Sequence, residues 1–179
     1  MGPRSRTLGV ISDTHGHFDP ALLELFRGVE TILHAGDVVG REVLEQLKSI
    51  APVIAVAGNN DGPPLSDELP PWRIVEIDGE RILILHDLGK PERLRGPAAE
   101  LVARERPRVV VSGHSHAGRV DARDGLLFIN PGSAGKKRFR LLRSAAFLLF
   151  RPPAIEARLI SLEGTIGEVV ASAELPRHR

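Results

Sequence analysis

The sequence contains no cysteine. Disulfides and thiolate metal sites are therefore excluded, and any metal must be held by His, Asp, Glu or Asn. The absence fits a reducing cytoplasm without requiring one. Tyrosine is also absent, tryptophan occurs once, and aromatic residues make up only 4% of the chain. An extended nucleic acid groove calls for more stacking aromatics and a basic excess, whereas the net charge here is +1. No apolar run reaches the ~18 residues of a membrane span. The opening "MGPRSRTLGV" carries no apolar signal segment. The expected setting is the cytoplasm, with no membrane partner. The 179 residues are 42% hydrophobic and 26% charged. That balance suits one globular domain over 1–179 with a proper core.

Strands and helices alternate in the first half. "TLGVIS" (7–12), "TILHAG" (31–36) and "PVIAVAG" (52–58) are apolar runs that stop in polar loops, the form of buried parallel strands. Between them, "DPALLELFRG" (19–28) offers Asp19 as a helix N-cap, Pro20 at the first helical position and Gly28 at the end. "REVLEQLKSI" (41–50) spaces Val43, Leu44 and Leu47 on one helical face. The second half changes style. Hairpins are predicted at Asp78-Gly79 and Asp124-Gly125. A helix is predicted over "PAAELVARERP" (97–107) and a strand in "PRVVVSGHSH" (107–116). Two late strands fall in 144–164, divided at Pro152-Pro153, and "ELPRHR" (174–179) reads as a frayed tail. Parallel strands followed by antiparallel ones predict a mixed α/β sandwich.

The loops at the C-terminal ends of the apolar strands carry Asp13 and His15, then Asp37, Asn59, His86, and finally His114 and His116. Strand ends of open α/β sheets converge on one crevice. Each piece alone is weak: a strand-end Asp is most often a turn or capping residue, and a lone strand-end His is most often structural. Together they are specific, because core packing gives no reason for five loops to carry ligand-type residues. "GHSH" adds to this, since residues i and i+2 of an extended segment share a face. Two carboxylates, four imidazoles and an amide suit borderline divalent ions such as Mn²⁺, Fe²⁺, Ni²⁺ or Zn²⁺. Seven ligands exceed what one ion with an open position can use, so two ions are expected, the arrangement that clamps a phosphoryl centre.

These residues resemble the calcineurin-like metallophosphoesterases. The motifs run in order: D-x-H as "DTH" (13–15), G-D-x-x-G as "GDVVG" (36–40), G-N-x-D as "GNND" (58–61), the lone His86, and G-H-x-H as "GHSH" (113–116). "INPGS" (129–133) is a further segment common in small prokaryotic members. The resemblance implies a four-layer α/β/β/α sandwich with mixed sheets. It implies Asp13, His15 and His116 on a first metal, Asn59, His86 and His114 on a second, and Asp37 bridging. A hydroxide between the ions would attack a phosphodiester. Asp61 would stand behind the ligands and orient an imidazole. His34 would do the same or be a satisfied buried His; His17 would face solvent near the mouth, and His178 belongs to the tail.

Two departures qualify the match. Many members read G-N-H-D, where the His contacts phosphate and can protonate the leaving group; here the position is Asn60. Its amide can donate a hydrogen bond to a phosphoryl oxygen but cannot give up a proton. A branch of small prokaryotic phosphodiesterases carries Asn or Cys there, which favours diesters over alkyl monoesters. Secondly, Asp87 follows His86 where relatives often have a second His. The basic segments 90–95 and 136–140 read as solvated loop charge, with contact to a phosphodiester as the alternative. A metal-dependent phosphodiesterase is the expectation, a homo-oligomer being compatible with it. Its alternatives are a phosphomonoesterase, which Asn60 disfavours, and a protein-binding scaffold of the same fold, which the complete ligand set disfavours.

Overall fold

The computed structural model describes residues 5–138 and 140–177. The chain opens with β1 (Arg6–Ile11), α1 (Ala21–Leu25), β2 (Thr31–His34), α2 (Arg41–Lys48), β3 (Val53–Ala55) and the short α3 (Leu65–Glu68). The hairpin β4 (Trp72–Ile77) and β5 (Glu80–Leu85) follows, then α4 (Gly96–Glu105) and β6 (Val109–Val111). A second hairpin, β7 (Arg119–Arg123) and β8 (Leu126–Asn130), precedes β9 (Ser144–Arg151), β10 (Ala154–Ser161) and β11 (Val169–Pro176).

The strands form two mixed sheets, in the orders β11-β10-β9-β1-β2-β3 and β4-β5-β6-β8-β7. β1, β2 and β3 pair in parallel, as do β5, β6 and β8. Period-2 alternation sorts the side chains between layers. Leu8, Val10 and Leu33 point inward from the first sheet, meeting Ile82, Ile84, Val109 and Leu127 of the second in the central core. Ile11 and Ile32 point outward instead and pack on Leu22, Phe26, Val43 and Leu47 from α1 and α2. On the far side, Leu83, Val110 and Phe128 pack on Leu101 of α4. The layers are therefore α/β/β/α, as expected. Gly9 marks how closely α1 lies on the sheet: a Cβ there would stand 2.8 Å from the Phe26 ring.

Both predicted hairpins form where Asp-Gly was read. Asp78 and Gly79 hold φ of 50° and 79°, Asp124 and Gly125 of 50° and 75°, the left-handed pair that lets a two-residue turn match strand twist. Asp19 acts one place earlier than expected: α1 starts at Ala21, whose N–H donates to Asp19 Oδ1 at 2.9 Å. The expected frayed tail is overturned over residues 174–177. Glu174 to Pro176 complete β11, Leu175 is buried, and Arg177 lies 3.6 Å from Asp78 and 3.7 Å from Glu80. β11 escaped the pattern because it is an edge strand: Val169 and Val170 are exposed, leaving no clean apolar alternation. His178 lies outside the described residues. Among the described residues, no helix is long and apolar enough to cross a membrane.

Candidate metal centre

The parallel strands of both sheets end on one side of the molecule. β1 delivers Asp13 and His15, β2 delivers Asp37, and the loop after β3 delivers Asn59 to Asp61. From the second sheet, β5 delivers His86, and β6 delivers His114 and His116. The backbone there is unusual. Asp13, His15, Asp37, His114 and His116 hold φ of 54°, 46°, 54°, 68° and 58°. Left-handed backbone in non-glycine residues costs of order 1–3 kcal/mol each and persists only where surroundings enforce it. Here the enforcing contacts are loop ladders that prolong the sheets. Asp13 N–H donates to Gly36 O at 3.0 Å, His15 N–H to Asp37 O at 3.0 Å, and Gly113 N–H to His86 O at 2.9 Å.

The side chains fall into two groups. In the first, His116 Nε2 stands 3.2 Å from both Asp13 Oδ1 and His15 Nε2. In the second, Asn59 Oδ1 stands 2.9 Å from His86 Nε2 and 2.9 Å from His114 Nδ1. Asp37 Oδ2 lies between them, 3.4 Å from His86 Nε2 and 3.8 Å from His15 Nε2. All seven residues singled out from the sequence are thus brought together. Asp13, His15 and His116, and separately Asp13, Asp37 and His86, each bring one donor atom within 4.8 Å of the others. This donor set fits cations. Among the described residues, Asp13 Oδ1 is buried with no hydrogen-bond donor of its own, an arrangement that costs energy unless a positive partner arrives.

Electrostatics follow from burial and these contacts. Burial pushes the Asp13 carboxyl up, against the neighbouring Ser12 hydroxyl. Burial would also raise Asp37, but His86 and both the backbone and side chain of Asn60 outweigh it and hold the carboxyl well below the usual range. His86 is raised: burial opposes its charge, and contact with Asp37 and the Ala35 carbonyl prevails. His86 Nδ1 stands 2.7 Å from Ala35 O, so a proton there leaves Nε2 free to face the centre. His15 is lowered by burial and then by the charge of Arg138. Of the segment 136–140, Arg138 is thus the residue whose charge reaches the site.

Two expected roles change. Asp61 orients no imidazole. Its Oδ1 accepts from Val39 N–H and its Oδ2 from Gly58 N–H, both at 2.7 Å, so it ties the "GDVVG" loop to the "GNND" loop. Asn60 turns its amide toward Asp37, Nδ2 donating to Oδ2 at 2.6 Å while its backbone N–H donates to Oδ1 at 2.8 Å. Asp87 is exposed, with Oδ2 3.8 Å from His114 Nε2, and His17 is half-buried beside the loop without joining either group. Three supports escaped the sequence reading. Thr14 Oγ1 contacts His34 Nε2 at 3.0 Å; Ser133 Oγ donates to Asp13 O at 2.8 Å; Asn130 Nδ2 donates to Gly113 O at 2.8 Å. For the last two, "INPGS" was the available signal: through Ser133 and Asn130 it clamps the "DTH" loop to the "GHSH" loop.

Comparison with known proteins agrees with this geometry. Residues 7–151 match the calcineurin-like phosphoesterase superfamily domain. The chain belongs to that superfamily. A probable metallophosphoesterase of Methanothermobacter thermautotrophicus is 36% identical over 135 residues, covering 70% of this chain and 76% of its own. One from Methanocaldococcus jannaschii is 35% identical over 162 residues, with 87% and 81% covered. A phosphodiesterase of the same organism is 31% identical over 141 residues, with 70% and 82% covered. Among solved structures, the phosphoesterase YfcE from E. coli matches at TM-score 0.69 and 27% identity, with 93% of this chain and 98% of that chain covered. Vacuolar protein sorting 29 from Cryptosporidium parvum matches at TM-score 0.79 and 22% identity, with 97% and 99% covered. The calcineurin-like phosphoesterase fold thus holds for the chain, and the two donor groups sit where its parallel strands end.

Proposed function

We propose that this calcineurin-like phosphoesterase is a phosphodiesterase working with two divalent metal ions, Mn²⁺ foremost. The observation that carries the reading is the pair of donor groups meeting at Asp37 Oδ2, 3.4 Å from His86 on one side and 3.8 Å from His15 on the other. Asp13, His15 and His116 would hold one ion, Asn59, His86 and His114 the other, and Asp37 would touch both. When bound, such a pair supplies Lewis acidity toward the phosphoryl oxygens and lowers the pKa of the attacking water. The chain's own residues prepare for that. Asn60 keeps Asp37 ionised, the Ala35 carbonyl fixes the His86 ring, and Asp61 holds two loops in register.

The preference for diesters comes from what the residues do not supply. Asn60 replaces the position where many relatives have an imidazole, and an amide donates no proton in the useful pH range. A good leaving group is then required. Asp87 places a negative charge at the edge of the site, which opposes a dianionic monoester more than a monoanionic diester. The complete donor set favours an enzyme over a binding scaffold, because a scaffold has no use for five converging loops, three of which hold ligand residues in left-handed backbone.

The test compares hydrolysis of bis(p-nitrophenyl) phosphate and p-nitrophenyl phosphate by chelated protein and by protein resupplied with Mn²⁺. Metal should restore diester turnover well above monoester turnover, and calorimetry should count two ions per chain. Absence of diester turnover with any of the four candidate metals, or saturation by one ion, would overturn the proposal.

A further inference from the structure

A cleft of about 490 Å³ opens directly beside the second donor group. Asn59, His86 and His114 line it on the side of the donor group, and Trp72, Leu85 and Leu101 line its apolar part. The volume lies in the ~300–1,000 Å³ range of small-molecule sites. The chain has a single tryptophan and only 4% aromatic residues. That tryptophan, half-buried on the edge strand β4, sits in this wall. The Arg104 guanidinium lies over its ring at 5.3 Å, and Arg104 itself lines the cleft. An indole and a guanidinium plane are the two surfaces on which nucleobases stack.

The polar groups of the cleft narrow the choice further. Asp87 and Glu100 both line it. Ionised carboxylates are acceptors only. They reject a second phosphate or a carboxylate on the substrate arm, and they welcome an exocyclic amino group. We infer that the cleft seats an amino-bearing nucleobase, so that the substrate is a nucleoside phosphodiester with its phosphate at the donor groups and its base against Trp72. The inference rests on the phosphodiesterase reading above and names the substrate class for it.

Trp72 is the sole tryptophan, so intrinsic fluorescence reports on the cleft alone. The probes are adenosine 5′-(methyl phosphate) and ribose 5-(methyl phosphate), diesters that differ only in the base. Each is titrated into Mn²⁺-supplied and into chelated protein, with calorimetry alongside. The adenosine ester should quench the fluorescence saturably and bind about tenfold or more tightly than the ribose ester, the scale set by base–aromatic stacking. Trp72→Ala should abolish that preference and leave the affinity for the ribose ester unchanged; Trp72→Phe should retain most of it. Arg104→Ala, at an exposed position, should weaken the preference and serves should Trp72→Ala fail to fold. Equal affinity for the two esters, or a preference that survives both variants, would overturn the inference. Failure of the underlying diesterase reading looks different: bis(p-nitrophenyl) phosphate would not turn over, whatever the base contributes to binding.

Discussion

At the scale of single residues, Asn60 has two consequences of opposite sign. Its amide donates to Asp37 Oδ2 at 2.6 Å, a bond to a charged acceptor worth about 1.5–3 kcal/mol. It also leaves the site without an imidazole to protonate a departing oxygen, a contribution typically worth about 10²–10⁴-fold. Asn60→His should therefore lower kcat/KM for diesters of good leaving groups and raise it relatively for poor ones. A plot of log kcat/KM against leaving-group pKa should be steep in the wild type and flatter in the variant. A shallow wild-type slope would assign the acid to another residue, with the half-buried His17 the first to examine. The centre itself is tested by Asp37→Asn beside His17→Ala. Asp37 lies between both donor groups, whereas His17 joins neither. The first variant should lose at least ten times more diesterase activity than the second, and equal losses in folded proteins would displace Asp37 from the centre.

At the scale of elements, the site depends on loops held against their own preferences. Asp61 joins the loop after β2 to the loop after β3 through two backbone N–H groups, both at 2.7 Å. One of them belongs to Val39, a β-branched residue at φ 58°, a conformation that does not persist unaided. Asp61→Ala leaves both donors unpaired and should destabilise the protein by about 1–3 kcal/mol for each that stays dry. Asp61→Asn keeps one acceptor oxygen and should lose less. Chemical denaturation of the two variants, with Mn²⁺ binding measured on the folded fraction, checks this: Asp61→Ala should bind metal more weakly, and unchanged stability would refute the tie. The elements themselves were legible where chemistry repeats along the chain. Apolar runs ending in Asp, His or Asn marked β1, β2, β3, β5 and β6, and Asp-Gly marked both hairpins. Partners distant in sequence were not. Nothing near Asp61 announces that it binds backbone rather than an imidazole. Nothing in "VVASAELP" announces an edge strand whose pairing with β10 holds it in place.

At the scale of the whole molecule, both sheets send their parallel strands to one end, which concentrates buried titratable groups there. His34 is the extreme case. It is fully buried in β2 beneath the donor groups, and burial, with a lesser push from His86, lowers its pKa from 6.5 to about 3. Thr14 Oγ1 donates to Val38 O at 3.2 Å, so the 3.0 Å contact to His34 Nε2 uses the ring proton as donor. His34 Nδ1 is buried with no partner among the described residues, and protonating it adds an unpaired charge to the interior. The unfolded chain takes up this proton below about pH 6.5, the folded chain only near pH 3. Between those values the unfolded state binds more protons, so the His34 contribution to stability falls as the pH falls. One proton corresponds to a slope of about 1.4 kcal/mol per pH unit. His34→Gln keeps a donor for Thr14 and removes the titration. Denaturant unfolding of chelated protein at intervals from pH 7.5 to pH 4 should give a wild-type stability that declines more steeply than the variant's by about that slope below pH 6.5. The two should run parallel above it. Parallel curves throughout would mean that His34 reaches a proton or a partner in the folded state, and that the floor beneath the candidate centre is wetter than its packing implies.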